Sequence, residues 1–308
     1  MKTALHIFVA LTFFAIPTVV LSQRRTAPAS ASSTAITIRT EPNAVVWVDE
    51  IRRGTTGVDG KLALSKVSNG RHTVRVRAMG FKETSVPFVP VRGSQTIHLL
   101  RTTDQAELKF QEAEAAHDAA KTDEARNQAV ELYREALKLR GTFPTAHLGL
   151  ARLLFELNKN EAALAEIEAA RRARPSYAEA SAVEGRIYRE MAFLDEAVNS
   201  FNRSLREANG FQPEAHVGLA KVYEDRGQYE RAAVEYQTAI KQLSDAEPVI
   251  YQMLGATLER LEKYKEAVAA YEKFLELAPN SSLAPAVRSI LDQVKREAAG
   301  REIVPEDK

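Results

Sequence analysis

The strongest constraint in this sequence is a repeat. Tyr133, Ile167, Phe201, Tyr236 and Tyr271 follow one another at intervals of 34, 34, 35 and 35 residues. Four residues before each stands Ala129, Ala163, Ala197, Ala232 and Ala267. Three residues after each stands Ala136, Ala170, Ser204, Ala239 and Phe274. The preceding segments carry a second small position, Ala151, Gly185, Ala220 and Gly255, followed three residues on by Leu154, Tyr188, Tyr223 and Leu258. Offsets of three and four put these residues on one helix face. Small side chains let two antiparallel helices approach, and the large ones fill the neighbouring gap. A period in this range predicts stacked helix pairs, in which each unit buries its apolar face only against its neighbours.

The pattern over 104–299 resembles a tetratricopeptide repeat array, which implies an all-α solenoid of about five helix pairs acting as a protein-binding surface. Pro175 and Pro279 stand just past second helices, where a helix must stop. The first helix, Ala106–Ala120, lacks the small–large signature. Ala284–Ala298 brings Val287, Ile290, Leu291 and Val294 onto one face, as a capping helix needs. In this family the first helix of each repeat lines the concave side. The resemblance then points at Arg152, Arg186 and Lys221, one repeat apart, with Arg189 beside them. Such a column of cations suits an acidic segment or a carboxy terminus of another protein. Glu156, Glu190 and Asp225 follow each cation by four residues and offer competing pairs within the same helix.

Residues 36–101 change period. ITIR, VVWV, KLAL, RHTVRVRA, ETSVPFV and SQTIHLL alternate apolar and polar residues, which predicts six short strands. Glu41-Pro42-Asn43, Gly54 to Gly60, Asn69-Gly70, Gly80 and Arg92-Gly93-Ser94 are the intervening turns. The expected core is Ile36, Ile38, Val46, Val48, Leu62, Leu64, Val74, Val76, Phe81, Phe88, Ile97 and Leu99. The stretch from Thr40 to Asp49, then Gly54-Thr55-Thr56, Asn69 to Val74 and Gly80-Phe81, resembles a PEGA domain. Residues 55–81 are also similar to the carboxypeptidase regulatory-like β-sandwich. Both resemblances imply a non-catalytic accessory module, so the whole chain reads as a small all-β sandwich followed by an all-α solenoid.

At the amino terminus, Lys2 precedes Ala4–Leu21, a run without Asp, Glu, Lys or Arg. Val20-Leu21-Ser22 fits a signal-peptidase site, which predicts a signal at 1–22, a mature chain beginning at Gln23 and a periplasmic or extracellular destination. The alternative is a membrane anchor at 4–21, and only then would the chain contact a membrane. Residues 23–35 read as a flexible Ser/Ala/Pro/Thr linker and 300–308 as a charged tail.

Charge divides the chain. Residues 36–101 hold 11 basic and 5 acidic side chains, whereas 102–308 hold 28 basic and 36 acidic, within a net charge of +1. Such asymmetry speaks of partners and docking. On the RHTVRVRA strand, Arg71, Arg75 and Arg77 share one face and are candidates for holding an anionic cell-surface polymer. The alternative function is therefore envelope anchoring through this basic domain, beside the first reading, a scaffold that holds another envelope protein. Nucleic acid is not an expected partner. There is no cysteine, which excludes disulfides, thiolate metal sites and a cysteine nucleophile. The six histidines form no HExxH pair, and no GxSxG, Walker or GxGxxG motif occurs. The sequence therefore offers no catalytic residue, metal site or cofactor.

Overall fold

The computed structural model describes residues 34–67, 71–90 and 93–301. The signal segment 1–22, the linker up to residue 33, the Asn69-Gly70 turn, Arg92 and the tail from 302 lie outside the described residues.

The amino-terminal module is two facing sheets. One carries β4 (Lys61–Val67), β1 (Thr34–Arg39) and β7 (Gly93–Thr96) in that order, with β1 antiparallel to β4 and parallel to β7. The other runs β3 (Ile51–Thr55), β2 (Val45–Val48), β5 (His72–Arg77), β6 (Thr84–Phe88), all antiparallel. Alternation along each strand sends Ile36, Ile38, Val46, Val48, Leu64, Val74, Val76, Phe88, Ile97 and Leu99 into one buried cluster, with Leu62 and Phe81 packed at its margin. The seventh strand, β3, escapes the alternation rule because its sequence is Ile-Arg-Arg-Gly-Thr. It is made by a two-residue hairpin at Asp49 and Glu50, whose φ values are 50° and 64°. Two positive φ values in succession match the right-handed twist of paired strands.

The rest is five helix pairs and a cap. The pairs are α1 (Gln105–Ala119) with α2 (Asp123–Leu139), α3 (Pro144–Glu156) with α4 (Asn160–Ala173), α5 (Ala178–Glu190) with α6 (Leu194–Glu207), α7 (Pro213–Asp225) with α8 (Tyr229–Leu243), and α9 (Val249–Arg260) with α10 (Tyr264–Leu277). The cap, α11 (Ala284–Arg301), buries Val287, Leu291 and Val294 over the last pair. Asp104 caps α1 through the amides of Ala106 and Glu107, and Thr122 caps α2 through that of Ala125. Proline at the first turn starts α3 and α7, where the missing N–H costs nothing. Each later pair turns through one left-handed residue: Asn158, Ala192, Gly227 or Glu262. Among first helices, α1 approaches α3, α3 approaches α5 and α5 approaches α7, with no comparable approach between second helices. The array therefore curves with the first helices inside.

The repeat residues do the packing. Tyr133, Phe201, Tyr236 and Tyr271 are fully buried, as are the alanines four residues before them. Phe201 is wedged between two glycines. A Cβ on Gly185 would stand 2.8 Å from the ring and one on Gly218, in the next pair, 2.2 Å. Each glycine admits the ring, so one aromatic side chain locks consecutive repeats. Replacing Gly with Ala inside a helix ordinarily gains about 1 kcal/mol. Here Gly218→Ala is expected to lose about 1–3 kcal/mol through overpacking. A chemical-denaturation midpoint at or above that of the wild type would contradict this wedge.

Candidate functional site

The inner face begins with the β module itself. On the sheet face away from the β core, β2 supplies Trp47 opposite Arg75 of β5, and Arg77 follows two residues later. The Arg75 guanidinium lies 4.3 Å from the centre of the indole and that of Arg77 5.1 Å. Arg77 also covers the Phe110 ring of α1 at 4.7 Å. Both arginines sit deep, with side chains only 12% and 11% exposed.

Carboxylates enclose them. Arg77 donates from Nε to Glu83 at 2.8 Å and from Nη1 to Glu114 of α1 at 2.6 Å. Arg75 pairs with Glu83 at 3.3 Å, with Glu50 of the hairpin tip at 2.6 Å and with Glu179 of α5 at 3.3 Å. Glu114 also accepts from the Tyr133 hydroxyl at 2.5 Å, so Tyr133, whose ring fills the space a Cβ on Gly149 would take, holds the carboxylate that receives Arg77. Burial would raise the Glu114 pKa, but Arg77 and the Tyr133 hydrogen bond outweigh it and hold the group below its ordinary value. Glu179 likewise ends below its ordinary value, with Arg152 and Arg75 overcoming burial. The tyrosine pays the opposite shift, pushed up by burial and by Glu114.

Further contacts complete the docking. Gln111 of α1, almost wholly buried, accepts from the Gly80 amide at 2.8 Å and donates to the Phe81 carbonyl at 2.7 Å. Arg52 of β3 pairs with Asp118 at 3.2 Å. Ile51, beside the hairpin tip, packs against the apolar cluster of the last repeats.

Beyond the hairpin tip the inner face opens into a cavity of about 610 Å³. Ile51, Val217, Val249 and Met253 give it an apolar wall; Arg186, Arg189 and Lys221 give it charge. The column expected from the sequence therefore converges in part. Arg186 donates to Glu214 at 3.1 Å and lies 5.5 Å from the Phe155 ring. Arg189 grips Asp225 with two bonds, 2.6 and 3.1 Å. These pairs run to the next repeat, not to residues four along the same helix, because neighbouring first helices lie close enough to reach. Lys221 makes no hydrogen bond or ion pair among the described residues, and burial, then Arg189 and Arg186, lower its pKa. Arg152 does not line the cavity. It sits among Glu179, Glu214, Tyr177 and Glu114, which together raise its pKa against burial.

Of the three strand arginines read as one polymer-facing set, only Arg71 is exposed; Arg75 and Arg77 are held by carboxylates of this chain. What the sequence reading missed is that set of partners, Glu50, Glu83, Glu114 and Glu179. The one available signal was the charge division between the modules. His147 and His216 each meet a glutamate: His147 Nδ1 meets Glu166 and His216 Nδ1 meets Glu235, each at 2.6 Å. Among the described residues no cluster of His, Asp and Glu is arranged to hold a metal ion, and no helix is long and apolar enough to cross a membrane.

Glu50 gives the site a pH dependence. Burial, followed by its hydrogen bond with Glu179, raises its pKa from 4.5 to about 7. The folded chain therefore keeps a proton that the unfolded chain has released, and stability falls as pH rises between these values. Glu114 and Glu179 act in the opposite direction, losing their contribution only as pH falls through their depressed pKa values. His147, raised by Glu166, adds to the loss on the alkaline side. The melting temperature is expected to be lower at about pH 8 than at about pH 5.5. In Glu50→Gln that difference should shrink without vanishing, and an unchanged difference would dismiss Glu50 as its source.

Family models of the tetratricopeptide repeat match residues 120–187, 183–248 and 248–281. No curated protein is similar to the chain in sequence. Among solved structures, PilW, described as a widely conserved type IV pilus biogenesis factor, is 16% identical with a TM-score of 0.56, over 64% of this chain and 89% of PilW. PilF of Pseudomonas aeruginosa is 15% identical with a TM-score of 0.54, over 63% of this chain and 86% of PilF. The APC/C hetero-tetramer Cut9–Hcn1 gives 15% identity and a TM-score of 0.54 over 63% of this chain, which spans 37% of the matched chain. At these identities the likeness is one of fold.

Proposed function

Because this chain is a tetratricopeptide repeat protein over residues 120–281, we propose that it is an exported, non-enzymatic scaffold. It holds a segment of another envelope protein on its inner face. The observation that carries this reading is the cavity where Arg186, Arg189 and Lys221 meet beside an apolar wall. Among the described residues Lys221 makes no ion pair, and the two arginines keep donors beyond their single carboxylates, so an acidic group entering the cavity gains charge-assisted bonds. The apolar wall takes a neighbouring side chain. An acidic residue next to an aliphatic one, in an extended segment, is the ligand chemistry that fits. Export is supported by the signal-like residues 1–22 and by the resemblance of residues 36–101 to accessory modules of exported proteins. Arg152 contributes through its electrostatic attraction to Glu179 and Glu214.

Anchoring to an anionic polymer through Arg71, Arg75 and Arg77 would require five ion pairs around Arg75 and Arg77 to open first. The scaffold reading asks for no such rearrangement.

The test is fluorescence anisotropy with the full chain and a labelled acidic–aliphatic peptide. Lys221→Glu is expected to weaken binding at least about tenfold, equivalent to roughly 1.4 kcal/mol, with helical circular dichroism unchanged. Affinity that survives both Lys221→Glu and Arg186→Glu removes the cavity from the proposal.

A further inference from the structure

The β module and the helical array meet in an unusual way. Among the described residues their buried apolar clusters do not merge: the strand cluster contains no helical residue, and of the strand residues only Ile51 packs onto a helical cluster. Among the described residues no strand runs alongside a helix at close backbone distance. What joins them is long polar side chains: Arg52 to Asp118, Arg75 to Glu179, Arg77 to Glu114, the Arg77–Phe110 stack and the Gln111 clamp on Gly80 and Phe81. Interdomain interfaces that are polar and poor in apolar area are the ones that open.

The recognised element is simple. Arg75 and Arg77 stand two residues apart on one strand face, and their opposite-face neighbours Val74 and Val76 belong to the β core. The receiving side is two fixed carboxylates, one held by a tyrosine hydroxyl, and an aromatic ring that stacks on a guanidinium. A planar guanidinium that stacks on Phe110 while one of its nitrogens reaches Glu114 selects arginine over lysine. Nothing in that set requires the arginines to belong to this chain.

We propose that the inner face of α1, α3 and α5 is a receptor for an extended arginine-bearing segment of another protein, with strand β5 of this chain as the resident occupant that such a segment displaces. The acidic face explains why the β module is basic, and the receiving residues Phe110, Glu114 and Glu179 are distinct from those that line the Arg186–Lys221 cavity. Tethering gives the resident strand an effective concentration on the order of millimolar. An outside segment competes only when it is abundant, brings additional contacts, or finds the resident weakened.

The experiment uses the full chain and a labelled peptide with the sequence of residues 71–78. A control peptide carries serine in place of the arginines corresponding to 75 and 77. Binding to the Arg75→Ser/Arg77→Ser chain is expected to be at least about tenfold tighter than to the wild type, because the resident competitor is gone. Adding Glu114→Gln and Glu179→Gln should abolish that gain, and the control peptide should show none. Equal affinity for wild type and variant, or equal binding of the control peptide, overturns the proposal. A second measurement needs no variant and so does not depend on the β module folding after substitution. Hydrogen exchange of the wild-type chain with excess peptide should deprotect the Gly80 amide, which donates to Gln111 across the interface, while leaving α2, α4 and α6 unchanged. A Gly80 amide whose exchange does not respond to the peptide contradicts it equally.

Discussion

Everything on the inner face depends on where two guanidinium groups go. Arg75 and Arg77 leave water for a site bounded by Trp47, Phe110 and four carboxylates. Burying a charge is costly unless it is paired and hydrogen-bonded, and here each arginine has more than one anionic partner. The pairing fixes the β module over the first three repeats. It also positions the Asp49–Glu50 hairpin tip, and Glu50 and Ile51 become part of the cavity wall beyond. The solenoid thus presents two unlike regions, an acidic one occupied by its own arginines and a mixed one with an unpaired lysine.

The helical scaffold can keep these groups in place because its repeats are locked one to the next. Tyr133, Phe201 and Tyr271 wedge against glycines and hold the pair spacing, and three buried tyrosines also turn their hydroxyls outward to glutamates: Tyr133 to Glu114, Tyr236 to Glu224 and Tyr271 to Glu259. The same side chain that fills the core therefore orients a carboxylate on the first helix. At Glu114 that carboxylate receives Arg77, so packing and docking share a residue. This coupling is how a sequence repeat becomes a surface with defined chemistry.

The solenoid was legible because its signal is periodic: a helix pair that cannot bury its own face repeats its small and large residues at one spacing. Six of the seven strands were legible through alternation. The seventh was not, since Ile51–Thr55 alternates weakly and the Asp49-Glu50 turn lacks the Asn-Gly or Asp-Gly pair that advertises a hairpin. The family resemblance, which implies that first helices line the concave side, was enough to point at Arg186, Arg189 and Lys221. Their partners could not be named, because Glu214 and Asp225 belong to the next repeat and only the curvature of the array decides which is reached. The fate of Arg75 and Arg77 was hidden for the same reason: Glu114 and Glu179 lie 37 and 104 residues away in the chain. Net charge hinted at docking, but charge has no register and could not name the pairs.

Buried ion pairs between strand β5 and the first helices hold the β module in the solenoid. A double-mutant cycle on Arg77 and Glu114 measures this most directly, using Arg77→Ser, Glu114→Gln and the double variant of the full chain, each followed by chemical denaturation. The predicted coupling is about 0.5–3 kcal/mol, as for residues in one hydrogen-bonded network. Additivity within about 0.3–0.5 kcal/mol would mean that the two side chains act independently, and the docking would have to rest on something other than this pair.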